Sequence, residues 1–219
     1  MALRIAFCIP GREFSGRFLD CWTNMIGGCE RAGIEYVVSR EYDPVVYYAR
    51  NKVLGGNLRA GRKQAPWGGK VPYDFMLWID SDMVFRFEDL VTLLQHNVDV
   101  VSGLYLMHDG KRFATVERWD QDRLAETGSL TYLTPADLAK RDGIFPVSYT
   151  GLGFMLVRRG VFERIEYPWF RPEWIEAGEV REFTSEDVGL CLALGRAGIS
   201  VQVDPTVVLG HEKSRVLLP

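Results

Sequence analysis

Apolar runs alternate with amphipathic stretches along the first part of the chain. Residues 3–9 form a short apolar run, which predicts a buried strand. Apolar positions within residues 18–29 then recur every three or four residues, which predicts a helix with Ser15 as its N-cap and Gly33 at its end. A second strand at residues 34–38 completes a βαβ unit. Such a unit indicates a parallel sheet with helices on its faces.

The apolar pattern predicts further strands and helices, and the sequence contains no internal repeat. Strands are predicted at residues 75–79, 98–104, 145–150, 154–157 and 199–203. Helices are predicted at residues 46–54, 87–96, 134–141, 161–165 and 186–197. Residues 55–72 contain five glycines, two prolines and four cations, a composition that predicts a mobile basic loop. The last strand is expected to be followed by a tail from Pro205 to His211.

Composition excludes several classes of protein. The 219 residues are 47% hydrophobic and 25% charged, ordinary values for a globular chain that buries a large core, so disorder and coiled coil are excluded. A net charge of −3 does not favour a general nucleic-acid or membrane-surface binder. The four cysteines contain no CxxC pair and are expected to be reduced, buried thiols. Since we recognise no targeting segment and no transmembrane stretch, we expect a cytoplasmic protein of a bacterial or virus-infected cell.

Two carboxylates follow the predicted strand at residues 75–79, in the sequence Asp80-Ser81-Asp82. Ligands of open α/β sheets bind beyond the carboxyl ends of the strands, and residues two apart on a strand point the same way. Two carboxylates directed into one crevice repel each other, and a divalent cation relieves that repulsion. Their oxygens suit Mg²⁺ or Mn²⁺, with phosphate oxygens completing the coordination. The alternative is a solvated end of a strand.

Three residues near the C-terminus are candidates for acid–base or metal chemistry. Glu186 and Asp187 lie at the predicted start of a helix, where negative charge is favoured by the helix dipole. They are either a simple cap or a carboxylate base that deprotonates an acceptor hydroxyl. His211 follows the last predicted strand and is either a surface residue or a metal-binding imidazole.

Two pairs of residues are candidates for ligand contacts. Gly151 and Gly153 flank Leu152 before an apolar strand, where glycine permits a close approach of the backbone to a ligand or forms a tight hairpin. Arg50 and Asn51 place a cation and an amide near a base or a diphosphate, or else lie on a helix surface.

The order of these features resembles the GT-A-fold glycosyltransferases, especially the family 2-like branch of bacteria, phages and large viruses. The shared series is strand–helix–strand, D-x-D, G-x-G-F-M-L-V, S-E-D-V-G-L-C and a late histidine, and it extends from Arg4 to His211. The resemblance implies a single α/β domain over residues 1–219, with a Rossmann-like, mixed and mainly parallel sheet and helices on both faces. Residues 1–107 would bind the nucleotide and residues 108–219 the acceptor.

The resemblance also implies a metal-dependent and inverting sugar transfer from a nucleotide-sugar donor to an acceptor hydroxyl. The donor would be a UDP-sugar, with a GDP-sugar as the alternative. Mn²⁺ or Mg²⁺ would be bound by Asp80, Asp82 and His211. Asp187 would be the base, with Glu186 beside it. Donor contacts are implied at Pro10, Gly11, Ser39, Arg40, Arg50, Asn51, Asp80, Ser81, Gly151 and Gly153.

The sequence does not decide the acceptor, and it leaves two competing functions. A glycan is the favoured acceptor, while the loop 55–72, with Trp67 among its cations, would suit DNA that carries a hydroxymethylated base. This loop is longer and more basic than the resemblance predicts, and a solvated connector is its plain alternative. The competing functions are a sugar-1-phosphate nucleotidyltransferase and a non-catalytic module that binds sugar nucleotides or glycans. The sequence does not indicate an oligomeric state.

Overall fold

A computed structural model describes residues 2–213, in which strands and helices alternate around a central sheet. The strands are β1 (Arg4–Pro10), β2 (Glu35–Glu41), β3 (Phe75–Ile79), β4 (Met83–Val84), β5 (Val100–Tyr105), β6 (Thr115–Val116), β7 (Phe145–Val147), β8 (Tyr149–Thr150), β9 (Phe154–Arg158), β10 (Trp174–Ala177), β11 (Val180–Phe183) and β12 (Val201–His211). The helices are α1 (Gly16–Ala32), α2 (Val46–Val53), α3 (Phe87–Gln95), α4 (Gln121–Thr127), α5 (Pro135–Leu138) and α6 (Glu186–Arg196). Short 3-10 turns lie at Leu58–Ala60, Pro66–Gly69 and Phe162–Arg164.

The central sheet is mixed, as predicted. Its eight strands include seven in the order β2-β1-β3-β9-β5-β12-β4, and β7 also pairs with β12. Strands β2, β1, β3, β5 and β12 run in one direction, while β9 runs antiparallel between β3 and β5. The carboxyl ends of β1, β2 and β3 therefore meet at one edge of the sheet, where ligands of α/β proteins bind.

Alternate residues of the central strands divide the core between the two faces of the sheet. On β1, Ile5 and Phe7 belong to the core cluster that includes residues of α1 and α3, whereas Ala6 and Cys8 belong to the cluster that includes residues of α2 and α6. This alternation follows from the two-residue period of a strand, and burial on both faces explains the continuous apolar run in the sequence. Helices cover both faces, as expected.

Helix α1 shows how local sequence sets an element. Ser15 adopts an extended conformation and its side chain accepts a hydrogen bond from the Phe18 backbone N–H at 3.0 Å. Gly33 ends the helix in the left-handed region, with φ of 67°. Such an N-cap stabilises a helix by about 1 kcal/mol, and glycine is favoured at the left-handed C-terminal position. Both predicted boundaries are confirmed.

The end of the chain corrects one prediction. A strand was expected only at residues 199–203, with a tail beyond Pro205, but β12 continues to His211. The strand keeps its pairing with β5 through a register shift between Val203 and Val208, so the proline does not end it. The continuation carries His211 to the same edge of the sheet as β4, where it pairs with Met83.

The prediction of buried, free thiols is confirmed. None of the four cysteines is in a disulfide and all are buried: Cys8, Cys21, Cys29 and Cys191. Among residues 2–213, no helix is long and apolar enough to cross a membrane.

Candidate functional site

A cavity of about 280 Å³ opens at the carboxyl ends of β1 and β3. The backbone of the first βα turn lies directly against the D-x-D segment there: a Cβ added at Gly11 would come within 2.8 Å of the Ser81 Cβ. The lining residues are Pro10, Gly11, Arg12, Tyr42, Asp43, Pro44, Val46, Ala49, Arg50, Asp80, Ser81 and Asp82. The predicted residues Pro10, Arg50, Asp80, Ser81 and Asp82 therefore share one cavity.

Arg50 forms a buried ion-pair network at the base of this cavity. The Arg50 Nη1 and Nη2 atoms lie 2.9 and 3.0 Å from the two Asp80 carboxylate oxygens, and Nε donates to Glu186 Oε1 at 3.0 Å. The Arg50 side chain is only 4% exposed. Burial by itself lowers the pKa of Arg50, but the carboxylates of Asp80 and Glu186 outweigh it and raise the pKa. One guanidinium thus joins α2, the end of β3 and the start of α6.

Asp82 turns away from this network and lies against His211. The His211 Nε2 atom is 3.1 Å from Asp82 Oδ2, and Lys213 Nζ is 2.7 Å from the same oxygen. Burial raises the pKa of Asp82, but the hydrogen bonds from His211 and Lys213 outweigh it and bring the pKa to about 2. Burial lowers the pKa of His211, and its contacts with Asp82 and the Leu106 carbonyl raise it by more.

The geometry of His211 indicates a place for a cation. Its Nδ1 atom lies 2.7 Å from the Leu106 carbonyl oxygen, which can only accept, so Nδ1 carries a proton. Nε2 and the Asp82 carboxylate are then both acceptors at 3.1 Å, unless a proton or a metal ion lies between them. A histidine oriented by a carbonyl through its other nitrogen is a common arrangement in metal sites. A doubly protonated imidazole satisfies this contact, and Lys213 Nζ lies 2.7 Å from the same Asp82 oxygen, so a divalent cation held by Asp82 and His211 would have to replace that proton and the ammonium.

The expected three-residue metal site is not assembled by the protein alone. Within residues 2–213, no group of three His, Cys, Asp or Glu side chains is placed to hold a metal ion. Asp80 is separated from Asp82 and His211 because both of its oxygens face Arg50. A cation bound between Asp82 and His211 would depend on oxygen atoms of a ligand to complete its coordination.

Asp187 lies one residue after Glu186 in the first turn of α6, yet its surroundings differ. Its Oδ1 accepts from the Val188 backbone N–H at 2.8 Å and from the Ser185 hydroxyl. Burial, followed by the nearby charge of Glu186, raises the pKa of Asp187 above its ordinary value, and the two hydrogen bonds and Arg50 only partly oppose this. A carboxylate with a raised pKa is suited to accept a proton.

The two predicted glycines pack against Tyr105. A Cβ at Gly151 would lie 1.9 Å from the Tyr105 hydroxyl oxygen, and one at Gly153 would lie 2.5 Å from its ring. The hydroxyl accepts a hydrogen bond from the Gly153 N–H at 3.3 Å, and the Tyr105 ring contacts His211 edge-to-face at 4.9 Å. Contact with Tyr105 is a sufficient reason for glycine at both positions.

Five residues expected to contact the donor lie outside the lining of the cavity: Gly151 and Gly153, described above, and Ser39, Arg40 and Asn51. The Ser39 hydroxyl donates to the Val53 carbonyl at 2.6 Å, and the Asn51 amide donates to the Tyr47 and Phe170 carbonyls, both at 2.7 Å. Arg40 donates to the Gly11 carbonyl at 3.3 Å and lines a neighbouring groove. In the structure, Ser39 and Asn51 hold α2 and the loop before β10 in place.

The basic loop is fastened away from the cavity. Its Trp67 is partly buried, packs against Tyr73 and donates through Nε1 to the Val53 carbonyl at 2.8 Å. Its cations, Arg59, Arg62, Lys63 and Lys70, do not occur among the cavity residues described above. Trp67 is thus engaged within the protein, which removes the support it gave to stacking on a nucleic-acid base.

Sequence reasoning missed Arg12, Tyr42 and Asp43, which line the cavity. Each follows β1 or β2 directly, and both strands end at the edge of the sheet that holds the D-x-D segment. The position of these residues after parallel strands was the available signal.

Comparisons with known proteins support the fold. No protein-family model and no curated protein sequence matches the chain. By structure, the chain is similar to A197 from STIV, with a TM-score of 0.51 and 17% identity, over 99% of this chain and 97% of that one.

Two further solved structures are similar to the chain. The catalytic domain of Drosophila β1,4-galactosyltransferase 7 in complex with xylobiose has a TM-score of 0.52 and 12% identity, over 98% of this chain and 72% of that one. A mutant of the same enzyme, in complex with manganese, UDP-Gal and xylobiose, has a TM-score of 0.50 and 13% identity over the same shares. At these identities the likeness concerns the fold, and it confirms the expectation of a single-domain GT-A fold.

Proposed function

We propose that the chain is a metal-dependent, inverting glycosyltransferase that uses a nucleoside-diphosphate sugar, with a UDP-sugar as the favoured donor. The observation that carries the proposal is the buried Arg50, which brings the D-x-D strand end and the Glu186-Asp187 helix start together at one edge of a GT-A fold. The similar galactosyltransferase was crystallised with manganese, UDP-Gal and xylobiose, which supports this donor class and a glycan acceptor.

The proposed donor site is the cavity at the ends of β1 and β3. Pro10 and Gly11 of the first βα turn and Asp80 and Ser81 of the D-x-D segment line it. A divalent ion, Mn²⁺ or Mg²⁺, would be held by Asp82 and His211 and would supply electrostatic stabilisation of the diphosphate leaving group. Arg50 fixes Asp80 through contacts with both of its carboxylate oxygens.

Asp187 is the proposed base. Its carboxylate takes the proton of the acceptor hydroxyl, the acceptor oxygen bonds to the anomeric carbon, and the bond from that carbon to the diphosphate oxygen breaks. The nucleoside diphosphate leaves on the opposite face, so the anomeric configuration inverts. Glu186 is less suited to this role because it is buried and already paired with Arg50 at 3.0 Å.

The decisive experiment measures nucleoside diphosphate release from a panel of UDP- and GDP-sugars with Mn²⁺, with Mg²⁺ and with excess chelator. We expect metal-dependent turnover, and Asp187→Asn should lower the chemical step about 10²–10⁴-fold, the usual contribution of a general base. Asp20→Asn, on the exposed side of α1, is the matched control and should behave like the parent.

The competing functions predict different outcomes of this experiment. Release of pyrophosphate would identify a sugar-1-phosphate nucleotidyltransferase. Binding of nucleotide sugars without any turnover would identify a binding module. Full turnover in excess chelator, or in Asp82→Ala, would contradict the metal assignment. Transfer to hydroxymethylated DNA but to no glycan would establish the DNA acceptor, although the basic loop 55–72 does not line the cavity.

A further inference from the structure

The β10–β11 hairpin exposes two aromatic side chains in contact with each other. Trp174 and Phe183 lie opposite one another in the antiparallel register and are 52% and 62% exposed. Their ring centroids are 4.9 Å apart in an edge-to-face arrangement. Single exposed apolar residues are common on protein surfaces, but a preformed aromatic pair on a hairpin is a surface suited to a ligand.

The same face of the hairpin also carries groups that form hydrogen bonds. Glu176 and Arg181 lie opposite each other two positions along the strands, on the same face as the aromatic pair, and both are exposed. The Trp174 Nε1 atom donates to Glu176 Oε1 at 2.9 Å, and Arg181 Nε lies 3.9 Å from the same oxygen. An aromatic surface bordered by a carboxylate and a guanidinium matches a pyranose ring, which has an apolar C–H face and a rim of hydroxyls.

The hairpin leads directly into the proposed base. Thr184 links β11 to α6, and Glu173 and Thr184 hold the open end of the hairpin through hydrogen bonds of 2.8 and 2.9 Å. Phe183 precedes Asp187 by four residues, so their Cα atoms are separated by at most about 14 Å. An oligosaccharide that contacts the aromatic pair is therefore within reach of the Asp187 carboxylate.

The charge of this segment restricts the class of acceptor. The hairpin itself, residues 174–183, contains three acidic residues and one arginine, while the flanking Glu173 and Glu186 are paired with Arg196 and Arg50. Nucleic-acid binding depends on basic groups that neutralise phosphates, and an acidic surface repels such a polymer. The hairpin therefore disfavours DNA and anionic glycans and suits an uncharged sugar.

We propose that Trp174 and Phe183 form the acceptor-binding surface of the enzyme and that the acceptor is a neutral glycan. This inference rests on the proposed function for its link to catalysis, but binding of sugar to the hairpin can be tested without turnover. The turn of the hairpin is supported by α4, where Gln121 Nε2 donates to the Glu176 carbonyl at 2.8 Å. The surface is thus preorganised, which lowers the entropic cost of binding.

The test uses the full chain labelled with ¹⁵N and follows the Trp174 indole N–H signal, identified through Trp174→Phe. Xylobiose, cellobiose and lactose are added at millimolar concentrations, and an oligo-dT strand is the anionic probe. We expect a disaccharide to shift the Trp174 signal in the parent and in Leu19→Ala, an exposed apolar control on α1. The shift at a given disaccharide concentration should be smaller in Phe183→Ala and in Phe183→Leu, which keeps apolar volume without the ring. Oligo-dT should leave the signal unchanged.

Kinetics separate this inference from the proposed function. In Phe183→Leu, the acceptor KM should rise about three- to tenfold, whereas Leu19→Ala should keep the acceptor KM and the donor hydrolysis of the parent. Parent enzyme that hydrolyses donor while no disaccharide shifts Trp174 overturns the acceptor surface and leaves the function intact. Disaccharide binding at Trp174 without any donor turnover overturns the function and retains the surface. An equal shift in the Phe183 variants, or a shift with oligo-dT, overturns the inference.

Discussion

Removing the Arg50 charge should be among the most destabilising single changes near the cavity. Arg50→Met keeps most of the side-chain volume but leaves two carboxylates without their partner. Loss of one member of a buried ion pair costs about 3–5 kcal/mol. The Glu186 side chain is 11% exposed and remains largely desolvated, whereas Asp80 at 26% gains solvent from the cavity. We therefore expect a loss near the lower limit, about 3 kcal/mol.

Urea unfolding followed by circular dichroism measures this loss as a difference in the free energy of unfolding. The matching fall in Tm is roughly 6–12 °C for a chain of this size. Arg62→Met is the matched control, because its ion pair with Glu166 is exposed at 75% and 50% and should contribute at most about 1 kcal/mol. Arg50→Lys should be intermediate, since an ammonium keeps the charge but not the two-sided guanidinium geometry.

A double variant tests whether the unpaired Glu186 carboxylate causes the loss of stability in Arg50→Met. Glu186→Gln added to Arg50→Met removes the stranded charge, so the pair should be less destabilised than the sum of the single changes. A loss of unfolding free energy below about 1 kcal/mol in Arg50→Met would show that removing Arg50 does not leave a buried carboxylate without its partner. Strict additivity in the double variant would show that Arg50 acts through packing rather than through Glu186.

Three further predictions concern the base, the glycine pair and the loop. Because burial raises the pKa of Asp187, kcat should decline as the pH falls through a midpoint above 3.8. The folded state also ionises this acid less readily than the unfolded chain does, so the ionised carboxylate costs stability above the unfolded pKa. Urea unfolding at pH 7 should therefore show that Asp187→Asn is as stable as the parent or more stable. Gly153→Ala should destabilise the fold by roughly 1–3 kcal/mol in the same assay and lower kcat, because its Cβ meets the Tyr105 ring. The four loop cations are Arg59, Arg62, Lys63 and Lys70. Replacing all four by alanine should leave the rate of transfer to a neutral acceptor unchanged across salt concentrations. If acceptor kinetics depend on salt in the parent and lose that dependence in the variant, the loop is an acceptor site.

Elements defined by local signals could be predicted from the sequence. The boundaries of β3 agree with the prediction, and α1 begins and ends at the predicted cap residues. The β10–β11 hairpin was missed because its strands carry charged residues at the positions between their aromatic and aliphatic side chains and leave little apolar periodicity. Its stability comes from the attachment to α4 and α6, which no local pattern records.

The candidate site could be predicted only as residue types, because its contacts are long-range. The D-x-D segment and the Glu186-Asp187 pair were expected at helix and strand ends, and they are found there. The partners of Arg50, however, lie 30 and 136 residues away in sequence. The paired arrangement of Asp82 with His211 depends on the continuation of β12 past Pro205, and a proline in the sequence indicates an end rather than an irregularity.

The adjacent acids Glu186 and Asp187 acquire different chemistry from one buried arginine. Both begin the same helix, and sequence alone gives no reason to separate them. The Arg50 guanidinium pairs with Glu186 at 3.0 Å, while the Asp187 carboxylate accepts hydrogen bonds from one hydroxyl and one backbone N–H. Burial without a full counter-charge then raises the pKa of Asp187. Two neighbouring carboxylates with diverging environments are a recurrent basis for dividing structural and proton-transfer roles. In the proposed mechanism, Arg50 therefore joins the cavity at the ends of β1 and β3 to α6 and engages Glu186, which leaves Asp187 as the proposed base.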